Sequence, residues 1–494
     1  MSESGGLPPL SRSFSFEVLR RFPDAEAENL VAVDATDRLV LDESSGVVEA
    51  TAAPGAGGRV VVVGDRYGAM TLGAIALHGA RNVRVHQDPV TGEHALTLNA
   101  ARAGLTGEFS PLPLAAELFT DALVVIGQLP KSLDALREIS QLAAVHCAPD
   151  VALFLGGRVK HMSRAMNDVL DESFTDVRAS LSQQKSRVLV ARGPRPEVEA
   201  GWQPRTAYPL RARHRDLDLW VCAHGAAFAG TKIDIGTRFL LGFLDRMLPG
   251  AGRAVDLGCG TGIIATVLAR ARPQLSVLAT DESAAAVSSA LATAAANGLT
   301  GRVQVLRDDA MSTLDDASVD LVVCNPPFHQ GTSVSAGVSL RLFRAAGRVL
   351  RPRGQLWTVF NSPLPYQGQL TRTVGPTRVV GRNPKFTVTV STKPEKDRPG
   401  RSGSARRGGL NGGADAGCGS GHAQNARGRR PGRRVVGNLP AVAVRIGEVP
   451  GHPAPLPRRG RGNQPGAGSN GIFQDTGHGS GVRDHVGQRD RRRL

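Results

Sequence analysis

Aromatic side chains make up only 4% of the 494 residues, and there are five cysteines. Cys147, Cys222, Cys259, Cys324 and Cys418 are scattered along the chain, and none forms a C-x-x-C pair. An odd, dispersed set argues against a disulfide framework or a zinc site and fits a reducing compartment. The opening stretch MSESGGLPPLSRS lacks a basic-then-apolar signal pattern. No apolar run approaches the roughly 20 residues that cross a bilayer. A soluble cytoplasmic protein with neither membrane nor metal partner is therefore expected; a monomer is expected too, although nothing in the sequence fixes the oligomeric state.

Charge is unevenly spread. The formal net charge is +16. Residues 398–494 contribute 18 Arg, no Lys and 5 acids, whereas residues 1–397 carry 42 basic and 39 acidic side chains. The basic character thus belongs mostly to a Gly-, Pro- and Arg-rich tail with clusters such as RGRRPGRR. Such a segment buries too little apolar surface to offset its chain entropy. It reads as a disordered extension, or as read-through of a shifted frame in a GC-rich gene, in preference to an Arg/Gly arm for RNA.

What the sequence does hold is an ordered series of strand ends. In GRAVDLGCGTGIIATVLARARPQLSVLATDESAAAV, residues 254–257 read as a buried strand. They are followed by Gly258, Gly260 and Gly262, an alanine-rich helix, and a second strand ending at Asp281. Strand, glycine turn, helix, strand is half of a doubly wound α/β sheet, with ligand expected at the strand C-termini. Asp256, just before the glycines, would repel a dinucleotide pyrophosphate but suits the cationic amino end of S-adenosylmethionine. Asp281 is placed for ribose hydroxyls. After a third strand, VQVL, Asp309 is placed to accept from the adenine amino group. Later strands are expected near 355–360 and 386–391.

A fourth strand end carries DLVVCNPPFHQG, residues 320–331. Two prolines end the sheet and stiffen the loop. The order of elements resembles class I S-adenosylmethionine-dependent methyltransferases, and Asn325-Pro326-Pro327-Phe328 resembles their motif for planar amino or amide nitrogens. The exocyclic amine of a purine is a poor nucleophile because its lone pair is delocalised. The Asn325 side-chain oxygen and the Pro326 carbonyl would accept both its N–H bonds, and Phe328 would stack on the base. Catalysis is then mostly alignment and electrostatics. His329 is read as a substrate contact or a loop-shaping residue, not a required base. Cys259 and Cys324 are read as small packing residues.

The first part of the chain reads as a faded copy of the second. Setting RVVVVGDRYGAMTLGA under RAVDLGCGTGIIATVL puts Val62 opposite Asp256 and Arg66 opposite Gly260. Gly64 and Gly68 then match Gly258 and Gly262, and Gln87 falls opposite Asp281. Matching Val125 to Val323 puts Gly127 opposite Asn325. On this reading the first copy has lost every polar group of the site, should not bind cofactor, and supports the substrate. Lys131, Lys160, Arg164, Lys185 and Arg187 are its candidate phosphate contacts.

Two tandem methyltransferase-like domains, the first degenerate, resemble the ribosomal RNA guanine-N2 methyltransferases over residues 18–393. The resemblance rests on LRRFP, LPKSLDAL and KSRVLVARG in the first domain, and on FAGTKIDIGTRFLL, VDLGCGTG, TDESAAAV and CNPPFHQG in the second. It implies S-adenosylmethionine as cofactor, ribosomal RNA as partner and methyl transfer to a guanine N2. It also puts Asp234 at the lip of the cofactor pocket, although Asp234 could equally cap the helix starting near Gly236. The combination of D-E-S, N-P-P-F-H-Q and a late N-x-K-F strand leans toward the large-subunit type.

The expected fold class is α/β: two tandem doubly wound Rossmann-like methyltransferase domains plus a disordered C-terminal tail. The expected divisions are a degenerate domain at 1–195, a catalytic domain at 205–395 and the tail at 398–494. The alternatives are a small-subunit rRNA guanine-N2 methyltransferase, an adenine-N6 or glutamine-amide methyltransferase using the same site, or a non-catalytic RNA-binding or ribosome-assembly factor.

Overall fold

The computed structural model describes residues 14–52, 58–195, 206–327 and 333–395. The tail, together with Phe328 and His329, lies outside the described residues. Two seven-stranded sheets form the framework. The first contains β1 (Val60–Val63), β2 (Val83–His86), β3 (Phe109–Pro111), β4 (Val124–Gln128), β5 (Ala152–Arg158), β6 (Phe174–Ala179) and β7 (Ser186–Pro194), in the order β3-β2-β1-β4-β5-β7-β6. A hairpin follows, β8 (Leu210–His214) with β9 (Leu219–Ala223). The second sheet contains β10 (Arg253–Leu257), β11 (Ser276–Asp281), β12 (Val303–Arg307), β13 (Val319–Cys324), β14 (Leu350–Asn361), β15 (Thr377–Arg382) and β16 (Phe386–Thr392), in the order β12-β11-β10-β13-β14-β16-β15.

The two orders are the same when the strands of each sheet are counted in chain order, so the fold is present twice. In both sheets the inner strands run parallel, while β7 and β16 return antiparallel. The central strands are almost wholly buried, as expected where helices cover both faces. The helices are α1 (Ala35–Ala50), α2 (Ala69–His78), α3 (Val90–Ala103), α4 (Ala116–Phe119), α5 (Leu133–His146) and α6 (Arg164–Asp171) in the first half. In the second they are α7 (Ile235–Leu241), α8 (Ile263–Ala271), α9 (Ala284–Ala296), α10 (Ser333–Val349) and α11 (Tyr366–Thr373). The hairpin β8–β9 and strand β15 were not read from the sequence; both are short and carry weak apolar alternation.

The hairpin is docked by a ladder of side chains from α9. Ser289, Thr293 and Asn297 accept from the backbone N–H groups of His224, Cys222 and Trp220 at 2.9, 2.9 and 3.0 Å. Four residues of helix rise about 6 Å and two residues of strand about 6.6 Å, so the two periods match. The free edge of β9 is thereby covered.

Strand register fixes the correspondence between the copies. Val62 pairs with Val85 and Ile126, and Asp256 pairs with Ala279 and Val323. Gln87 is therefore the counterpart of Asp281, as expected. The Val125–Val323 match is not supported. Ile126 is the counterpart of Val323, so Gln128, not Gly127, stands in the place of Asn325. A one-residue slip within a uniformly apolar strand is invisible in sequence, because either register buries valine or isoleucine. The first copy has thus kept an amide at the fourth strand end.

Candidate active site

The chain turns left-handed at Gly258, Gly260 and Gly262 (φ 71°, 53° and 74°) as it passes from β10 into α8. These glycines serve two different ends. A methyl group on Gly258 or Gly260 would meet no atom within 4 Å, so both border open space. One on Gly262 would lie 2.8 Å from the Ala290 Cβ and 2.9 Å from its Cα, so Gly262 lets α8 pack against α9. Gly68 does the same in the first copy, where a Cβ would lie 2.7 Å from the Leu96 side chain. The faded copy keeps the packing glycine, which the fold needs.

Asp256 is fully buried at the centre of the second sheet. Its Oδ2 accepts from the Ala265 N–H at 2.9 Å, in the first turn of α8. Its Oδ1 is buried and has no hydrogen-bond partner. Burial pushes this carboxyl up to about 7, and the nearby Asp281 adds to the shift. A half-satisfied buried acid beside a glycine turn that borders open space fits a cationic group of a bound ligand.

Asp281, at the end of β11, braces the turn: its Oδ2 accepts from the Gly260 N–H at 2.9 Å and its Oδ1 from the Ser283 N–H at 3.0 Å. Burial raises its pKa as well. Asp308 and Asp309 have separate duties. Asp308 ties down its own turn through Ser312 and Thr313. Asp309 is partly open and pairs with Arg341 of α10 at 3.0 Å.

The amide of Asn325 follows β13. Its Nδ2 donates to Asp234 Oδ2 and to Thr237 Oγ1, both at 3.0 Å. With both N–H bonds used, the Oδ1 is the side-chain atom left to accept. Asp234 is also the N-cap of α7, accepting from the Thr237 N–H at 3.1 Å. The helix-cap reading of Asp234 thus holds, and the same carboxylate also holds the Asn325 amide. Thr237 was missed in the sequence; its position three residues after an N-cap aspartate was the available signal. Pro326 is buried. Cys259 and Cys324 are buried, and burial raises both thiols, so neither is poised as a nucleophile.

The corresponding corner of the first copy is bonded differently, with Gln87 Oε1 a buried atom left without a partner among the described residues. Asp65, in the glycine turn, gives both oxygens to α2, accepting from Met70 and Thr71 N–H at 3.0 and 2.6 Å. Thr71 is the counterpart of Ala265, so an acid still caps the helix, but both its oxygens are engaged there, whereas Asp256 leaves one without a partner. Gln87 is buried and donates to the Asp65 carbonyl at 2.9 Å. Gln128 donates to Asp37 at 2.6 Å, in the first turn of α1 after the N-cap Asp34. This repeats the Asn325–Thr237 geometry, since both acceptors sit at the third residue of a helix.

The five candidate RNA contacts lie at the C-terminal edge of the first sheet. Lys131 follows β4, Lys160 and Arg164 follow β5, and Lys185 and Arg187 open β7. The Val159 N–H donates to the Lys185 carbonyl at 2.9 Å, and Arg187 pairs with Gly157. None of the five forms an ion pair with the described residues, and all but Arg187 are exposed.

Comparison with known proteins places both copies of the fold in a family. Residues 9–195 match the RLMG N-terminal domain, and residues 218–390 match the methyltransferase small domain. The Ribosomal RNA large subunit methyltransferase G of Streptomyces avermitilis is 33% identical over 393 residues, covering 78% of this chain and 99% of that protein. That of Pseudomonas aeruginosa is 35% identical over 393 residues, covering 78% and 100%. The chain belongs to the ribosomal RNA large subunit methyltransferase G family. The T. thermophilus 16S rRNA N2 G1207 methyltransferase, solved with AdoMet and guanosine, shares the fold at a TM-score of 0.54 and 21% identity, covering 71% of this chain and 92% of that one. S-adenosylmethionine is the methyl donor of this family, and the glycine turn, Asp256 and Asp281 fit it. Among the described residues no helix is long and apolar enough to cross a membrane, and no three His, Cys, Asp or Glu residues gather to hold a metal.

Proposed function

We propose that this protein methylates the exocyclic N2 of a guanine in ribosomal RNA of the large subunit. Residues 205–395 do the chemistry, and residues 1–195 hold the RNA without binding cofactor. The observation that carries this reading is the Asn325 amide, fixed by Asp234 and Thr237 so that its oxygen is the remaining acceptor. A carboxylate behind the NH₂ group polarises the amide and strengthens that oxygen as an acceptor. Together with the ring-locked Pro326 carbonyl it receives both N–H bonds of a flat amine, which turns the nitrogen lone pair out of the base plane. Phe328, outside the described residues, is the candidate stacking partner for the base.

Asp256 would hold the amino end of S-adenosylmethionine, Asp281 the ribose and Asp309 the adenine edge. Once bound, the cofactor supplies an electrophilic methyl group on a sulfonium. No strong base is needed, because the methylated amine loses its proton readily to water. A base inside a duplex is out of reach, so the target guanine is unpaired or flipped. The reaction belongs in the cytoplasm, where the RNA is, and a monomer suffices because all the named groups lie on one chain.

Lys131, Lys160, Arg164, Lys185 and Arg187 supply phosphate contacts. Their support is that they share one edge of the first sheet without acidic partners. In that sheet the Asp65 carboxylate, with both oxygens bonded to α2, supports a role that does not bind cofactor. The test is nucleoside mass analysis of purified large-subunit rRNA treated with enzyme and cofactor. N2-methylguanine is expected, and N6-methyladenine would refute the substrate. Asn325→Ala should abolish transfer while S-adenosylhomocysteine still binds; a fully active variant would refute the mechanism.

A further inference from the structure

The two halves meet at equivalent points. Pro89 of the first half bridges Ser283 of the second in antiparallel fashion. These residues are counterparts in the duplication, since Gln87 matches Asp281. The seam is therefore a local pseudo-twofold, and it falls two residues beyond Asp281. Across it, however, the contacts are not symmetric in consequence. Asp88 Oδ1 accepts from Ser283 Oγ and from the Ala285 N–H, both at 2.9 Å. The Asp88 carbonyl accepts from the Ala284 N–H at 2.8 Å, and the Val90 N–H donates to the Glu282 carbonyl at 2.9 Å. From the second half, Arg307 reaches back to the carbonyls of Gln87 and Asp88 at 2.6 and 3.0 Å and to Glu93 at 2.6 Å.

While Arg307 holds the Gln87–Asp88 stretch, the Asp88 and Val90 bonds converge on the segment that follows Asp281. The Asp281 carboxylate depends on this segment, since the Ser283 N–H is one of its two donors and Gly260, in the glycine turn, is the other. We propose that Asp88 of the degenerate half is a positioning residue for the cofactor site, holding the 282–285 turn so that Asp281 faces the ribose in a fixed orientation. It touches neither cofactor nor RNA. In isolation the turn would have Ser283 alone capping α9; with Asp88 an external carboxylate takes a second N–H of the first helical turn, which favours one geometry of the turn. The first copy thus acts on the cofactor pocket that its own sequence has lost. This inference rests on the proposed cofactor role of Asp281.

The test is calorimetric binding of S-adenosylhomocysteine to the full chain carrying Asp88→Asn, Asp88→Ser or Asp88→Ala. Asparagine keeps the accepting oxygen and should bind within about twofold of the parent, alanine should weaken binding roughly tenfold, and serine should fall between. Turnover at saturating cofactor should stay near the parent value, so the loss appears in the cofactor KM and not in kcat. Glu138→Gln provides the contrast. Glu138 secures the other seam by accepting from the Gly225 N–H at 2.7 Å and bonding His224 at 2.6 Å, and its loss should leave cofactor affinity unchanged. Should Asp88→Ala not fold, the serine and asparagine variants still rank the effect. Equal affinity across the Asp88 series would overturn the inference, as would an equal loss in Glu138→Gln, which would mean general loosening between halves. Failure of the parent chain to bind S-adenosylhomocysteine would overturn the cofactor reading and this inference with it.

Discussion

Cofactor affinity should fall steeply below neutral pH, and Asp256 is the reason. Its carboxyl is raised from 3.8 to about 7, mainly by burial and then by Asp281. That shift of about three units corresponds to roughly 4 kcal/mol favouring the protonated form in the ligand-free fold. The group therefore stabilises the ligand-free protein fully below pH 3.8, and this contribution is lost as pH rises through about 7. A bound ammonium reverses the preference, because an adjacent cation favours the carboxylate. Binding must then expel a proton below pH 7, so affinity should be about tenfold weaker at pH 6 than at its high-pH limit, and about a hundredfold weaker at pH 5.

Titration calorimetry with S-adenosylhomocysteine from pH 5 to 8.5, in buffers of differing ionisation enthalpy, reads both the affinity and the released proton, about half of one at pH 7. Cys259 and Cys324 also face Asp256, but burial keeps both thiols neutral throughout. Asp281 and Asp309 are raised too and steepen the parent curve. The difference between the parent and Asp256→Asn isolates the one group. That variant should bind about 10- to 100-fold more weakly at pH 8 and show a flatter slope. A parent affinity independent of pH between 6 and 8, or a slope unchanged in Asp256→Asn, would refute the reasoning.

Thr237→Val leaves one Asn325 N–H without its acceptor, so kcat should drop about tenfold while S-adenosylhomocysteine affinity holds; stopped-time methylation assays and calorimetry separate the two. Lys160→Glu with Lys185→Glu should raise the RNA dissociation constant and lower the salt slope of binding by about 1.4, measured by fluorescence anisotropy across a salt series. Gly262→Ala puts a methyl group against Ala290 at φ 74° and should cost about 2–4 kcal/mol in denaturant unfolding. Gly258→Ala meets no neighbouring atom and should instead lose cofactor binding at a smaller cost in stability, read by the same two assays.

The position of the candidate site residues was legible in sequence because they lie at strand ends. A buried parallel strand that stops at a glycine turn or at Asn-Pro-Pro presents its last polar residue to the ligand edge whatever the rest of the chain does. Asp256 and Asp281 could therefore be singled out from spacing, and Asn325 from the resemblance of its Asn-Pro-Pro-Phe motif. Duplication was also legible, since Gly64 and Gly68 kept step with Gly258 and Gly262. The fourth strand was misaligned by one residue, because V-V-I and L-V-V give the same burial in either register. Only hydrogen-bonded pairing showed Gln128 in the place of Asn325.

Local pattern thus determined the fold class, the glycine turn and the residue at each strand end, all set by neighbours a few positions away. Tertiary structure alone decided what each polar group is bonded to. Asn325 meets Asp234 and Thr237 some ninety positions earlier, and Asp88 meets Ser283 nearly two hundred positions later. Such pairings depend on how helices, turns and sheets distant in the chain pack together, and no periodicity in the chain encodes which side chains that packing brings within about 3 Å.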